Sequence, residues 1–98
     1  MNIGKGLKVL LKKKNLTQKE LAEKINISET SLSLIMQNKT HPRKETLEII
    51  ANSLGVKPEL LVILSLEKED IPDNKKEYYS ILWPTIESSL LILLQEES

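Results

Sequence analysis

The stretch from Leu16 to Arg43, LTQKELAEKINISETSLSLIMQNKTHPR, carries start and stop signals so closely spaced that few folds accept it. Thr17 is a helix N-cap residue with Glu20 three positions later, the spacing of a capping box. The helix that follows places Leu21, Ala22 and Ile25 on one face and stops at Asn26-Ile27, since asparagine tolerates the left-handed backbone of a sharp exit. Ser28 is a second N-cap and opens a helix whose buried face is Leu32 and Ile35. Ile27 turns an apolar side chain into the corner between the two. Glu29, Thr30, Ser33, Leu34 and Gln37 are left on the other face of the second helix. These side chains are mostly short and polar, and suit a helix that lies against a surface. The pattern predicts a helix–turn–helix.

Helices are also predicted on either side. Ile3, Leu7, Leu10 and Leu11 recur at i, i+4, i+7 and i+8, one apolar stripe of a helix from about Ile3 to Lys13. Gly4 and Gly6 cost that helix about 1 kcal/mol each relative to alanine, so its first turn is expected to fray. Lys12, Lys13 and Lys14 crowd its last turn, where cations suit the helix dipole or face a phosphate. Asn38 supplies a left-handed exit in Gln37-Asn38-Lys39-Thr40-His41-Pro42. A fourth helix begins near Arg43–Glu45 and buries Leu47, Ile50, Ala51 and Leu54 before Gly55 ends it. Pro58 opens a fifth, with Leu60, Leu61 and Leu64 inward. Residues 1–66 thereby close a small helical core.

Residues 67–98 differ in character. The segment EKEDIPDN, residues 67–74, reads as a charged linker broken by Pro72. Asn74 with Glu77 would cap a helix carrying Tyr78, Ile81 and Leu82, which Trp83-Pro84 should break or kink. Pro84 then starts a final helix to about Glu96. Five residues, Leu90 to Leu94, suit a helix or a short strand, and the helix is preferred. The formal charge of zero conceals a split. Residues 1–66 hold ten lysines and one arginine against six glutamates, a net +5; residues 67–98 hold three lysines against eight carboxylates, a net −5. A basic functional surface and a separate acidic segment follow, or simply two solvated faces.

Other classes of function find little support. The chain has 98 residues and no cysteine, so disulfides and thiolate metal sites are excluded. The start is unlike a signal peptide, and the longest apolar run, Leu90 to Leu94, is far too short to span a bilayer. A soluble cytoplasmic protein without membrane association is expected. His41 is the single histidine and stands in a loop, and no metal spacing, phosphate loop or nucleophile arrangement is present. The expectation is a non-enzyme with no cofactor, no metal and no catalytic residue.

Leu16-Thr17-Gln18-Lys19-Glu20-Leu21-Ala22 followed by Ile27-Ser28 resembles the helix–turn–helix of the phage repressor and Cro proteins, the Xre-type regulators. The resemblance continues through Pro42 and Leu47-Ile50-Ala51-Leu54-Gly55-Val56 to Leu60-Leu61, and covers about residues 3 to 66. It implies an all-α fold, a five-helix lambda-repressor-like DNA-binding domain at 1–66 with a C-terminal helical extension at 67–98. The family commonly carries Arg and Glu where Leu34 and Met36 stand here.

The resemblance also implies a partner, double-stranded DNA, and a role in transcription as repressor or autoregulator. In the family's geometry the helix at about 28–37 enters the major groove, with Glu29, Thr30, Ser33 and Leu34 facing the bases. Leu34 is equally placed to be buried or to face a partner. Phosphate contacts are expected from Thr17 and Gln18 at the start of helix 2, where backbone N–H groups point outward, and from Asn38, Lys39, Thr40 and Arg43 after the reading helix. The apolar residues Trp83, Ile86, Leu90, Leu91, Leu93 and Leu94 exceed what one helix can hide on a small domain. A homodimer interface is expected there, or packing within the chain. An antitoxin-like or adaptor module, whose tail binds another protein and whose DNA binding is secondary or lost, is the alternative.

Overall fold

The computed structural model describes residues 1–94, and among these it contains helices and turns but no strand. Five helices come first: α1 (Ile3–Lys14), α2 (Gln18–Lys24), α3 (Glu29–Met36), α4 (Lys44–Ser53) and α5 (Pro58–Ser65). Two 3-10 turns, Lys68–Asp70 and Asp73–Lys75, precede α6 (Lys76–Leu93). The chain divides into two units, one of Asn2–Ser65 and one running from Leu66 onward together with Met1.

In the first unit α1 lies against α5 and α3, α2 against α3, and α4 against α5. The interior is aliphatic: Ile3, Leu7, Leu10 and Leu11 from α1, Leu21 and Ala22 from α2, and Leu32, Ile35 and Met36 from α3. Ile50, Ala51, Leu54, Leu61 and Leu64 complete it. Leu47 and Leu60, expected inside, are half-buried. Each fully buried side chain of this size stabilises the fold by about 1.5–3 kcal/mol.

Four of these helices end alike. Asn15, Asn26 and Asn38 have φ of 55°, 59° and 60°, and Gly55 has φ of 72°. At each, the following N–H reaches back to a carbonyl five residues earlier: Leu16 to Leu11, Ile27 to Ala22, Lys39 to Leu34 and Val56 to Ala51, at 2.9–3.0 Å. The left-handed residue itself donates to the carbonyl three residues before it, completing the Schellman pattern. The spacing of asparagines therefore sets the helix lengths. Asn15 does for α1 what was expected only of Asn26, Asn38 and Gly55.

The first turn of α1, expected to be weak, is helical and capped by Asn2, and its glycines are contact points. A Cβ on Gly4 would lie 2.0 Å from the carbonyl oxygen of Met36, and one on Gly6 would lie 2.4 Å from Ser65 Oγ. The backbone of α1 thus meets the end of α3 and the end of α5 at a distance no other residue permits. Asn2 fixes the same turn, its Oδ1 accepting from the Lys5 N–H at 3.0 Å while its own N–H donates to the Ser65 carbonyl at 2.8 Å. The buried Ser65 hydroxyl is satisfied by donating to the Leu61 carbonyl at 2.7 Å.

The second unit corrects two expectations. The charged segment read as a linker holds two 3-10 turns: in the first, Asp70 accepts from the Glu67 N–H at 2.9 Å and its own N–H donates to the Glu67 carbonyl. Asn74 lies inside the second turn and caps nothing, and α6 starts without a side-chain cap. Trp83-Pro84 does not divide the segment, since α6 runs through Pro84. Proline in a helix interior costs about 3 kcal/mol, partly because the carbonyl four residues earlier loses its donor. That carbonyl belongs to Ser80, on an exposed part of α6 where water can replace the bond. Leu90 to Leu93 are helical, and the end once expected at about Glu96 falls outside the described residues.

Gly4→Ala should destabilise the protein by about 1–3 kcal/mol or more, since the methyl group meets backbone that cannot swing aside. Urea unfolding would measure it, and an unchanged midpoint would contradict the close approach. A second expectation concerns the capping box of α2. Glu20 is held below the usual carboxylate range by hydrogen bonds from the Thr17 N–H and hydroxyl. A lowered folded-state pKa contributes stability that is complete above the ordinary glutamate value and is lost as pH falls through the lowered one. Glu20→Gln should remove that part of the acid limb in a pH series of thermal melts. Thr17→Ala should cost about 1 kcal/mol at neutral pH through the lost cap.

Candidate nucleic-acid interface

α3 separates its residues sharply. Leu32, Ile35 and Met36 go inward, and Glu29, Thr30, Leu34 and Gln37 are exposed with Ser33 half-exposed between them. Ser28 starts the helix by accepting the Ser31 N–H at 3.0 Å, and Thr17 starts α2 in a reciprocal box. The Thr17 N–H donates to Glu20 Oε1 at 2.9 Å and the Glu20 N–H to Thr17 Oγ1 at 3.0 Å. With both helix starts fixed by their own caps, the corner presents two N-terminal turns toward solvent.

The outward residues of α3 line one open groove of about 480 Å³, formed by Gln18, Glu29, Thr30, Ser33, Leu34, Gln37 and Lys39. All four expected base-facing residues are there. Of the expected phosphate-facing residues, Gln18 and Lys39 join them at the rim. Leu34 is 37% exposed, so it is not a core residue of this chain.

The other expected phosphate contacts are more dispersed. Thr17, Thr40 and Arg43 are exposed but outside this groove. Arg43 occupies the N-cap position of α4, in extended conformation and with no side-chain cap. Asn38 lines a neighbouring hollow with Asn2, Lys5, Lys8, Val9, Met36 and Gln37.

Three residues enter the site that sequence reasoning left out of it. Gln37 donates through Nε2 to Ser33 Oγ at 2.8 Å, so the two side chains form one polar unit across a turn of α3. Their i, i+4 spacing was the available signal. Lys5 and Lys8 bring positive charge beside the end of α3. No local signal marks them, because it is the packing of α1 on α3, closest where Gly4 meets Met36, that carries that side of α1 to the end of α3.

The residues proposed for dimerisation divide between two faces of α6. Ile86 and Leu93 are exposed, Trp83, Leu90 and Leu91 are half-buried, and Leu94 is buried. Trp83 stacks on Tyr79 with ring centroids 5.5 Å apart. Tyr78, Ile81, Leu82 and Ile92 are exposed as well. Among the described residues no group of three or more histidine, cysteine, aspartate or glutamate side chains gathers as a metal site would require, and no helix is long and apolar enough to cross a membrane.

A helix–turn–helix family profile matches residues 7–61. The chain is 35% identical over 80 residues to the immunity repressor protein of Bacillus phage phi105, an overlap of 82% of this chain and 54% of the relative. It is 33% identical over 98 residues to the HTH-type transcriptional regulator ImmR of Bacillus subtilis (strain 168), covering all of this chain and 72% of that protein. The chain therefore spans about half the length of the phage repressor. No solved structure matches it. Matched across the five helices that carry the exposed face of α3, the chain belongs to the Xre-type helix–turn–helix family of DNA-binding transcriptional regulators.

Proposed function

We propose that the protein is a sequence-specific regulator, acting as repressor or autoregulator, that binds double-stranded DNA as a homodimer with α3 in the major groove. The observation that carries this reading is the shared groove of Glu29, Thr30, Ser33 and Leu34 with Gln18 and Lys39 at its edges. The major groove of B-DNA admits one helix, and short side chains let its backbone come close to the base edges. Glu29 accepts a hydrogen bond from a cytosine amino group. Thr30 and Leu34 offer apolar contact to a thymine methyl. Ser33 and Gln37 exchange their mutual hydrogen bond for bonds to bases.

Phosphates on one side meet Gln18 and the N-terminal turn of α2 beside Thr17. On the other side they meet Asn38, Lys39, Thr40 and Arg43. Lys5 and Lys8 extend the basic surface along α1. The net +5 of residues 1–66 supports long-range attraction to DNA. Residues 67–98 serve as the dimerisation segment, and two copies reach half-sites about 34–36 Å apart. Beyond its first turn the exposed face of α6 carries no charge, which supports pairing with a second copy; in the adaptor reading the same face takes another protein and DNA binding is secondary.

Titration of the protein with duplex from its own promoter tests this. Release of about 6–10 counterions should weaken binding roughly 10³- to 10⁵-fold between about 50 and 200 mM salt, and a flat response would remove the basic surface from the argument. Thr30→Ala and Glu29→Ala should alter base preference by about 1–3 kcal/mol at single positions, read by competition with mutated duplexes. Arg43→Ala should weaken all duplexes alike and reduce the salt slope. Identical behaviour of the two groups would sink the division between base-reading and phosphate-holding residues.

A further inference from the structure

The exposed face of α6 has an internal symmetry. Ile81 and Leu82 are 66% and 54% exposed, and Ile92 and Leu93 are 66% and 80% exposed. The two pairs are separated by eleven residues, three turns of helix, so they lie on the same face about 16 Å apart. Between them on that face stand Thr85 and Ser89, both exposed and both small. Reversing the order about Glu87 maps Ile81 onto Leu93, Leu82 onto Ile92, and Thr85 onto Ser89. The face is therefore its own complement when turned end for end.

Its charges are arranged to match. Glu87 is the one charged residue from Tyr78 to Leu93, and it is half-buried on the opposite side of the helix, near enough to Tyr79 to help raise that phenol's pKa after burial itself. Among residues 78–93 no like charge on that face opposes a second copy. The six exposed large residues, Tyr78, Ile81, Leu82, Ile86, Ile92 and Leu93, expose at most about 600–700 Å² per chain, so a pair that covered all of them would reach the lower end of the range of about 1,200–2,000 Å² that specific interfaces bury.

We infer that α6 pairs with α6 of a second copy in antiparallel orientation about a two-fold axis at the level of residue 87. Leu82 packs on Ile92 of the partner copy and Ile81 on Leu93, while Thr85 and Ser89 let the two helices approach at the centre. Such an interface is isologous, so it closes at two chains. Antiparallel helix dipoles favour it over the parallel arrangement. The inference rests on the proposed homodimer and specifies its pairing.

The chain has no cysteine, so single thiols report the pairing cleanly. Leu82→Cys and Ile92→Cys are made separately in the full chain, at exposed positions where the fold tolerates them, with circular dichroism as the check. In the antiparallel pair, position 82 faces position 92 of the other copy. The two positions 82 lie about 15 Å apart along the helices, beyond the roughly 7 Å reach of a disulfide. A mixture of the two variants, exchanged and then oxidised, should yield the mixed disulfide dimer while each variant alone stays uncrosslinked. Efficient cross-linking of Leu82→Cys to itself would show parallel helices and overturn the inference. A dimer by sedimentation that forms no mixed disulfide would place the interface elsewhere, overturning the inference and leaving the homodimer intact. A monomer by sedimentation overturns both. Leu82→Glu should weaken dimerisation about 100-fold, and an unchanged dimer would again exclude this face. Binding of promoter duplex, measured in parallel, reports separately on whether the protein is a DNA-binding regulator.

Discussion

The placement of α3 depends on the point where α1 has no side chain to separate it from its neighbour. At Gly4 the backbone of α1 meets the carbonyl of Met36, and two residues later, on the opposite side of the helix, Gly6 meets Ser65 and Leu61. Each glycine lowers helix propensity by about 1 kcal/mol relative to alanine. Buried contact with two other helices offsets that cost, and the Asn2 cap holds the turn in shape. Met36 is the last residue of α3, so the contact anchors the far end of the helix whose near end is set by Ser28. A short helix fixed at both ends presents its outer face with little freedom, which a reading surface requires.

That outer face is polar but already engaged with itself. The bond from Gln37 to Ser33 satisfies both groups in the free protein. In the proposed complex, contact with a base exchanges one hydrogen bond for another, so the net gain comes from geometry and discrimination rather than from the bond count. That reading leaves affinity to the cations around the groove. Lys39 stands at its rim and Lys5 and Lys8 beside its end, a distribution suited to holding phosphates on either side of a reading helix.

The second unit follows another logic. α6 carries a proline through its interior and leaves six large apolar or aromatic residues exposed. Both features cost stability in a lone chain. Ser80, whose carbonyl the proline leaves without a helical donor, is exposed, so water can replace the bond, and the bare apolar face is what the proposed pairing would cover. Its acidic character, a net −5 against the +5 of residues 1–66, keeps this segment distinct from the basic first unit.

The sequence by itself determined where helices begin and end. Thr17, Ser28 and Pro58 start three of them, and Asn26, Asn38 and Gly55 stop three, because caps and left-handed exits act within a few residues. It also placed Leu32 and Ile35 inside and Glu29, Thr30 and Ser33 outside on α3, since that follows from helical period, while Leu34 and Met36 were assigned only by the packing. Tertiary structure decided the rest. Gly4 and Gly6 read as weak points and proved to be contacts, because the partners that give them value, Met36 and Ser65, are remote in sequence. Lys5 and Lys8 joined the site through the same contact. In α6 the single proline outweighed the continuous helix in a local reading, and the choice of which leucines face outward rested on a helical phase that Pro84 was expected to interrupt. Local rules fix the ends of helices, whereas the neighbours of a glycine or a lysine are fixed by packing, which no short window of sequence contains.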